Sequence, residues 1–139
     1  MNLPAALLCL AQAVFFEARG EPLIGKVAVA SVVMNRVADP RFPNDICSVV
    51  KQGPTYRSRP EIPIRHRCQF SFYCDGKPED PHDERAWRDA LYIVHLSGLI
   101  PDITGGATHY HSTKVFPEWA YTGQVTTNIH KHVFYTGIK

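Results

Sequence analysis

Residues 3–22 read LPAALLCLAQAVFFEARGEP. Leu3, Leu7, Leu10, Val14 and Glu17 recur at spacings of four and three, which lines up one face of an α-helix and predicts a helix from about Ala5 to Glu17. Every member of that stripe except the last is aliphatic. Glu17 is therefore carried toward the core at a helix end, next to Arg19 and Gly20. Ionising a carboxyl in such surroundings is costly without a partner, and burial raises its pKa. Spacing alone leaves two outcomes open. Either Glu17 snorkels to water or pairs with Arg19 or Arg36, or it keeps its proton near neutral pH, as a general acid for acetal cleavage must. Gly20 and Pro22 interrupt the helix, so Glu21, one turn on, is not assumed to share its face. The run Leu3 to Leu10 followed by Ala11-Gln12-Ala13 imitates a signal-peptidase site, but no Lys or Arg precedes it and it is short. A helix of the mature domain is expected instead.

Downstream, Pro22 suits the first turn of a second helix reaching about Val37, with Ile24, Val27, Ala28, Ser31, Val32 and Asn35 on one face. Asn44 is placed to cap a short helix over Asp45 to Lys51, closed by Gly53. Residues 53–67 read as an irregular loop in which Arg57, Arg59, Arg65 and Arg67 face a single acid, Glu61. Such a loop is either a solvated surface or a region that attracts an anionic polymer. Cys68, Phe70, Phe72 and Cys74 alternate with Gln69, Ser71 and Tyr73, which predicts a strand, and Asp75-Gly76 is a turn signal. Asp80-Pro81 opens a third long helix that buries Ala86, Trp87, Ala90, Leu91, Ile93 and Val94 and ends at Gly98. Short strands are expected over Ala107 to Ser112 and Lys131 to Thr136. Helices, a hairpin, a helix and two short strands make an α+β protein, because the elements do not alternate as a parallel sheet requires.

The 139 residues, 45% hydrophobic and 20% charged, are enough for one compact domain, residues 1–139, and too few for two. A formal charge of +2 argues against a dedicated nucleic-acid binder. Mean hydropathy of −0.18, with no long uncharged apolar run, argues against membrane insertion through a helix. A monomer is expected. The four cysteines allow three full pairings. An unbroken strand from Cys68 to Cys74 would span roughly 20 Å. A disulfide needs Cα atoms within about 7 Å, so that pair is excluded unless the strand breaks. Cys47 bridged to Cys68 or Cys74 is plausible in an oxidising compartment, and Cys9, amid Leu and Ala, reads as a buried thiol.

Two groups of residues could carry chemistry. One is Glu17. The other is His109-x-His111 with His130-x-His132, since each pair places two imidazoles on one face of a strand, a spacing that metal sites use. Histidines bonded within a sheet or lining a polar cleft fit the same pattern. HExxH, GxSxG, GxGxxG and GxxxxGK[ST] are all missing, which leaves zincin, nucleophile-elbow serine-hydrolase and nucleotide-binding chemistry without support.

Taken together, Phe16-Glu17-Ala18-Arg19-Gly20-Glu21, Gly25, Asn35-Arg36, Gln69-Phe70-Ser71, Gly106-Ala107-Thr108-His109-Tyr110-His111, Trp119 and His132-Val133-Phe134-Tyr135 resemble, in order, the cell wall hydrolases related to spore cortex-lytic enzymes. The resemblance covers nearly the whole chain. It implies a lysozyme-like fold, several helices against a small antiparallel sheet, that acts on peptidoglycan glycan strands without a cofactor or metal. The family's catalytic acid is the first Glu of its EARGE motif, here Glu17. By the same resemblance the chain acts as a lytic transglycosylase. One Glu protonates the oxygen between N-acetylmuramic acid and N-acetylglucosamine, then serves as base to the muramic 6-hydroxyl. Asn35, Gln69, Ser71, His109, His111, Trp119, His132 and Tyr135 would be the substrate-binding residues. Two features depart from the family pattern: His130 stands where a Gly is expected, and the 53–67 loop is longer. The competing expectations are a metal-dependent cell-wall amidase or peptidase built on the four histidines, or a non-catalytic glycan-binding module that stacks sugars on Trp119, Tyr110 and Tyr121. The site of action is the periplasm or cell wall. It would be reached by release in a phage-type lysis, as for an endolysin, or by other export.

Overall fold

The computed structural model describes residues 3–77 and 83–139. Helix α1 (Ala5–Ala18) lies at the centre, against α2 (Leu23–Ala38), the short α3 (Ile46–Val50) and α4 (Glu84–Leu96). From Cys9 onward α1 is buried on nearly every side, with Leu10, Ala13, Val14 and Phe15 fully enclosed. Each large side chain so enclosed contributes about 1.5–3 kcal/mol, which is why a helix without a side-chain N-cap persists here. Helix α2 begins after Pro22 as expected, but its buried face is rotated from the predicted one. Ile24 is 55% exposed, and Gly25, Val29, Val33 and Arg36 turn inward beside Ala28 and Val32. The cap of α3 is Asp45, not Asn44: its carboxylate accepts from the Ser48 amide at 2.9 Å. Helix α4 buries the predicted face, and Asp83 caps it by accepting from the Ala86 amide. The expected start at Asp80-Pro81 lies outside the described residues. No described helix is long and apolar enough to cross a membrane.

Residues 53–67 contain a hairpin, β1 (Thr55–Tyr56) with β2 (Arg59–Pro63), where an irregular loop was expected. The predicted strand over Cys68 to Cys74 does not form. Ser71–Cys74 is a single 3₁₀ turn, whose small rise per residue shortens the segment. The Cα atoms of Cys68 and Cys74 consequently lie 6.1 Å apart, and the two are joined by a disulfide. The second bridge is Cys9–Cys47, which corrects both the buried-thiol expectation for Cys9 and the Cys47 pairing with Cys68 or Cys74. It ties α1 to α3 across 38 residues. Closing a loop of that size restricts the unfolded chain by roughly 4 kcal/mol.

The second sheet has the order β3-β5-β4, all antiparallel: β3 (His109–Ser112), β4 (Gln124–Ile129) and β5 (His132–Thr136). Strand β4 is an addition to the predicted elements, as is the 3₁₀ turn Glu118–Thr122 before it. The inner face, with Tyr110, Phe134 and Ile129, packs on Ala28 and Val32 of α2. The outer face carries His109, His111, Val133 and Tyr135, because residues paired across β3 and β5 share a side. His130 opens the turn from β4 to β5 with φ +53°, a conformation that favours glycine. Here a side-chain contact holds it: its Nδ1 meets the Glu21 carboxylate.

Candidate active site

The last turn of α1 carries Glu17 to the floor of a cavity of about 150 Å³, lined also by Arg36, Gln69, Phe70, His109, Tyr110 and Trp119. Three parts of the fold converge there: α1 and α2 below, the disulfide-closed 68–74 segment on one side, and β3 with the 118–122 turn on the other. The Tyr110 hydroxyl donates to Glu17 Oε1 at 2.8 Å. Burial raises the Glu17 pKa above its ordinary value, and the Tyr110 hydrogen bond and the Arg36 charge only partly oppose it. Tyr110 itself is pushed well up by burial and by Glu17, so it stays a neutral donor.

Arg36 is the buried cation of the site. Its Nε donates to the Thr108 carbonyl at 2.6 Å, and its guanidinium lies over the rings of Phe42 (4.9 Å) and Phe70 (5.5 Å). Its Nη1 is buried without a hydrogen-bond partner. Burial lowers the Arg36 pKa from 12.5, and Tyr110 and Glu17 work in the opposite sense. Across the cavity, burial and then the charges of Arg36 and Arg41 push His109 down to about 4, so it presents a neutral imidazole to any substrate near pH 7. Its ring packs 5.2 Å from that of Trp119.

Of the residues singled out by sequence, Glu17, Gln69, His109 and Trp119 meet at this cavity. Ser71 sits next to it, exposed, in the 3₁₀ turn. His111 and Tyr135 lie behind Trp119, joined to each other by a 2.8 Å hydrogen bond. Asn35 is turned away: its amide donates to the Ala107 carbonyl at 2.9 Å and to Asp102 at 3.1 Å, tying α2 to the loop before β3. Asp102 is held below the usual carboxylate range despite partial burial, because Thr104, the Gly106 amide and Asn35 all bond to it. His132 reaches the other side of α2, where its Nδ1 lies 2.8 Å from Glu21 Oε1.

Two participants had no role assigned on this side of the molecule. Tyr110 was weighed only as a sugar platform, but its ring is packed between His132 and Phe134 and its hydroxyl points to Glu17. Strand alternation carried the signal, since it sends Tyr110 to the face opposite His109 and His111. Arg36 was considered only as a partner for Glu17. The Val29, Val33, Arg36 stripe ends in a charge just as the α1 stripe does.

Glu17 is the single carboxylate among the lining residues. Glu21 is buried and engaged by His130 and His132, and Lys26 Nζ donates to its backbone carbonyl at 2.8 Å. Gly25 makes room for it: a Cβ there would lie 2.8 Å from Glu21 Cβ. The two histidine pairs sit on opposite faces of the sheet, so the four rings do not converge. Among the described residues, no three His, Cys, Asp or Glu side chains are arranged to hold a metal ion.

The Cell Wall Hydrolase family model matches residues 20–135, a span that starts three residues after Glu17. The spore cortex-lytic enzyme of Halalkalibacterium halodurans is 34% identical over 96% of this chain, and that of Bacillus cereus is 32% identical over 90%. The chain spans about two fifths of the length of these curated relatives, 37% and 42% respectively. Among solved structures, the catalytic domain of the germination-specific lytic transglycosylase SleB from Bacillus anthracis superposes with a TM-score of 0.70 at 29% identity, covering 97% of each chain. The catalytic domain of Bacillus cereus SleB gives a TM-score of 0.67. With a family match over most of its length and a relative 34% identical over 96% of it, this chain belongs to the cell wall hydrolase family.

Proposed function

We propose that residues 1–139 act as one catalytic domain that cuts peptidoglycan glycan strands as a lytic transglycosylase, with Glu17 as its acid and base. The observation that carries this is one carboxyl, the sole one among the described lining residues, whose pKa burial raises, on the floor of an open cavity. Protonated Glu17 gives its proton to the oxygen linking N-acetylmuramic acid to N-acetylglucosamine, and the bond from that oxygen to the muramic C1 breaks. The carboxylate left behind is stabilised by the Tyr110 hydroxyl and by the Arg36 charge. It then removes the proton from the muramic 6-hydroxyl as that oxygen bonds to C1. A 1,6-anhydro sugar results, Glu17 is protonated again and no water is consumed.

A hydrolase would need a second carboxylate about 5–9 Å from the first. Among the described residues, none besides Glu17 lines the cavity. Asp39, close enough to act on His109 electrostatically, is clamped by Arg41 at 2.9 Å. Gln69, His109 and Trp119 are the residues placed to touch sugar, with Ser71 beside them. Asn35, His111, His132 and Tyr135 act through their neighbours, by holding the loop, the Trp119 ring and the sheet. The named relatives are spore cortex-lytic enzymes, which supports a bacterial cell-wall setting over phage-type release.

The test is digestion of purified sacculi by the wild type, by Glu17→Gln, and by the wild type with a chelator. Loss of fragments with Glu17→Gln, indifference to chelator, and anhydro-muramic ends lighter by one water are expected. Reducing muramic ends would replace the transglycosylase with a hydrolase. Activity surviving Glu17→Gln would remove Glu17 from the reaction.

A further inference from the structure

The outer face of the β3-β5-β4 sheet is only half covered. At one end the 118–122 turn and Ile138 close over Tyr135, burying it with Ala120. At the other end a second hollow, of about 590 Å³, opens over His111, Val133 and Asn128, with Phe116 and Val125 as its walls. An antiparallel sheet can leave one face to water, but that face is then normally polar. Beside it, on the segment between β3 and β4, Phe116 is 58% exposed and Tyr121 is 79% exposed, their rings edge to face at 4.8 Å. A contiguous aromatic surface of this kind marks a place where something binds.

The platform is built into the fold. Phe116 packs 5.7 Å from the His111 ring, and the segment before it is pinned by the Thr113 amide on the Lys131 carbonyl and the Val115 amide on the Ser112 carbonyl. It also backs onto the Glu17 cavity through a shared wall of rings. Trp119 lines that cavity, and its ring packs against His111 (5.7 Å) and Tyr135 (5.4 Å), both of which line the second hollow.

We propose that this hollow is a second saccharide-binding site, which stacks pyranose rings of the same glycan strand on Phe116 and Tyr121 beyond the bond being cut. A pyranose offers an aliphatic C–H face to an aromatic ring and a rim of hydroxyl and acetamido groups to hydrogen-bonding neighbours. The hollow supplies both kinds of partner, since Asn128 and Thr113 stand among its apolar side chains. An apolar protein segment would leave those polar groups without partners.

The inference rests on the glycan-cleaving function proposed above, and its test keeps the two apart. Peptide-free glycan fragments of two, four and eight sugars are titrated into Glu17→Gln, which leaves them uncut, and into Glu17→Gln carrying Phe116→Ala and Tyr121→Ala. Affinity should rise with length in the first protein. The added pair should remove about tenfold of affinity for the longest fragment, as two stacked rings imply, and leave the two-sugar fragment unchanged. Equal loss at every length, or no loss, overturns the second site while sacculus cleavage by the wild type still supports the catalytic reading. Binding of no fragment, together with no cleavage by the wild type, overturns both. Self-association of the wild type that the aromatic substitutions abolish would assign the patch to a second copy of the chain and overturn the saccharide site.

Discussion

Glu17 and Glu21 stand four residues apart, on either side of Gly20, and the molecule treats their carboxyl groups in opposite ways. Glu17 ends α1 at the cavity floor, where one neutral hydroxyl bonds to it and burial outweighs the help that it receives. Glu21, just before α2, is met by the Nδ1 atoms of both His130 and His132 and is accommodated by the bare backbone of Gly25. One carboxyl has a single hydroxyl partner and a raised pKa. The other is saturated with partners and holds the sheet to the helices. The identity of a residue says little about its role until its partners are counted.

That contrast can be broken in several ways. Glu17→Gln should lower the rate of sacculus cleavage by roughly 10²- to 10⁴-fold, the usual worth of a positioned acid, with the far-ultraviolet circular dichroism unchanged. Glu21→Gln should act mainly on stability: it weakens the contact that holds His130 and His132, costs about 1–3 kcal/mol, and shows as a lower melting temperature. Activity per folded molecule should fall far less than for Glu17→Gln. A Glu21→Gln protein that is fully stable but inactive would reverse the two assignments.

Tyr110→Phe sharpens the comparison. The hydroxyl favours ionised Glu17, so its removal should raise the Glu17 pKa further and move the alkaline limb of the kcat/KM profile to higher pH. A limb that stays in place, or moves down, would show that the limb does not report Glu17. The smallest effect concerns folding. The folded pKa of Glu17 lies above its ordinary 4.5, so the unfolded chain loses that proton first. The stability tied to protonated Glu17 is complete below about 4.5 and is lost as pH rises through the folded value. Glu17→Gln should therefore melt slightly higher than the wild type at pH 8 and equally at pH 4, as scanning calorimetry would register.

Local periodicity carried much of this into view. The α1 stripe located the helix and brought Glu17 to the cavity, because burial and access there depend on one face of one element. The α+β class and the buried face of α4 were legible for the same reason. The 68–74 segment misled because Phe70 and Phe72 are core residues at a spacing of two, which a strand also produces. Its true shape depends on the covalent closure between Cys68 and Cys74. Strand β4, Gln-Val-Thr-Thr-Asn-Ile, lacks apolar alternation and has a register shift between Val125 and Thr127, so only its β-branched residues hinted at it. The bond from Tyr110 to Glu17 spans 93 residues, and no local pattern contains a contact made by the packing of a sheet onto a helix.

The left-handed turn at His130 also bears on how a substrate is received. Its imidazole fastens the far end of the sheet to the start of α2, and Tyr110 fastens the middle of the same sheet to the end of α1. Braced at two points, the cavity is set in advance, and under the proposed function carboxyl, phenol and guanidinium need no rearrangement when a glycosidic bond begins to break. Under that function, adaptation falls to the glycan, which bends to fit the site.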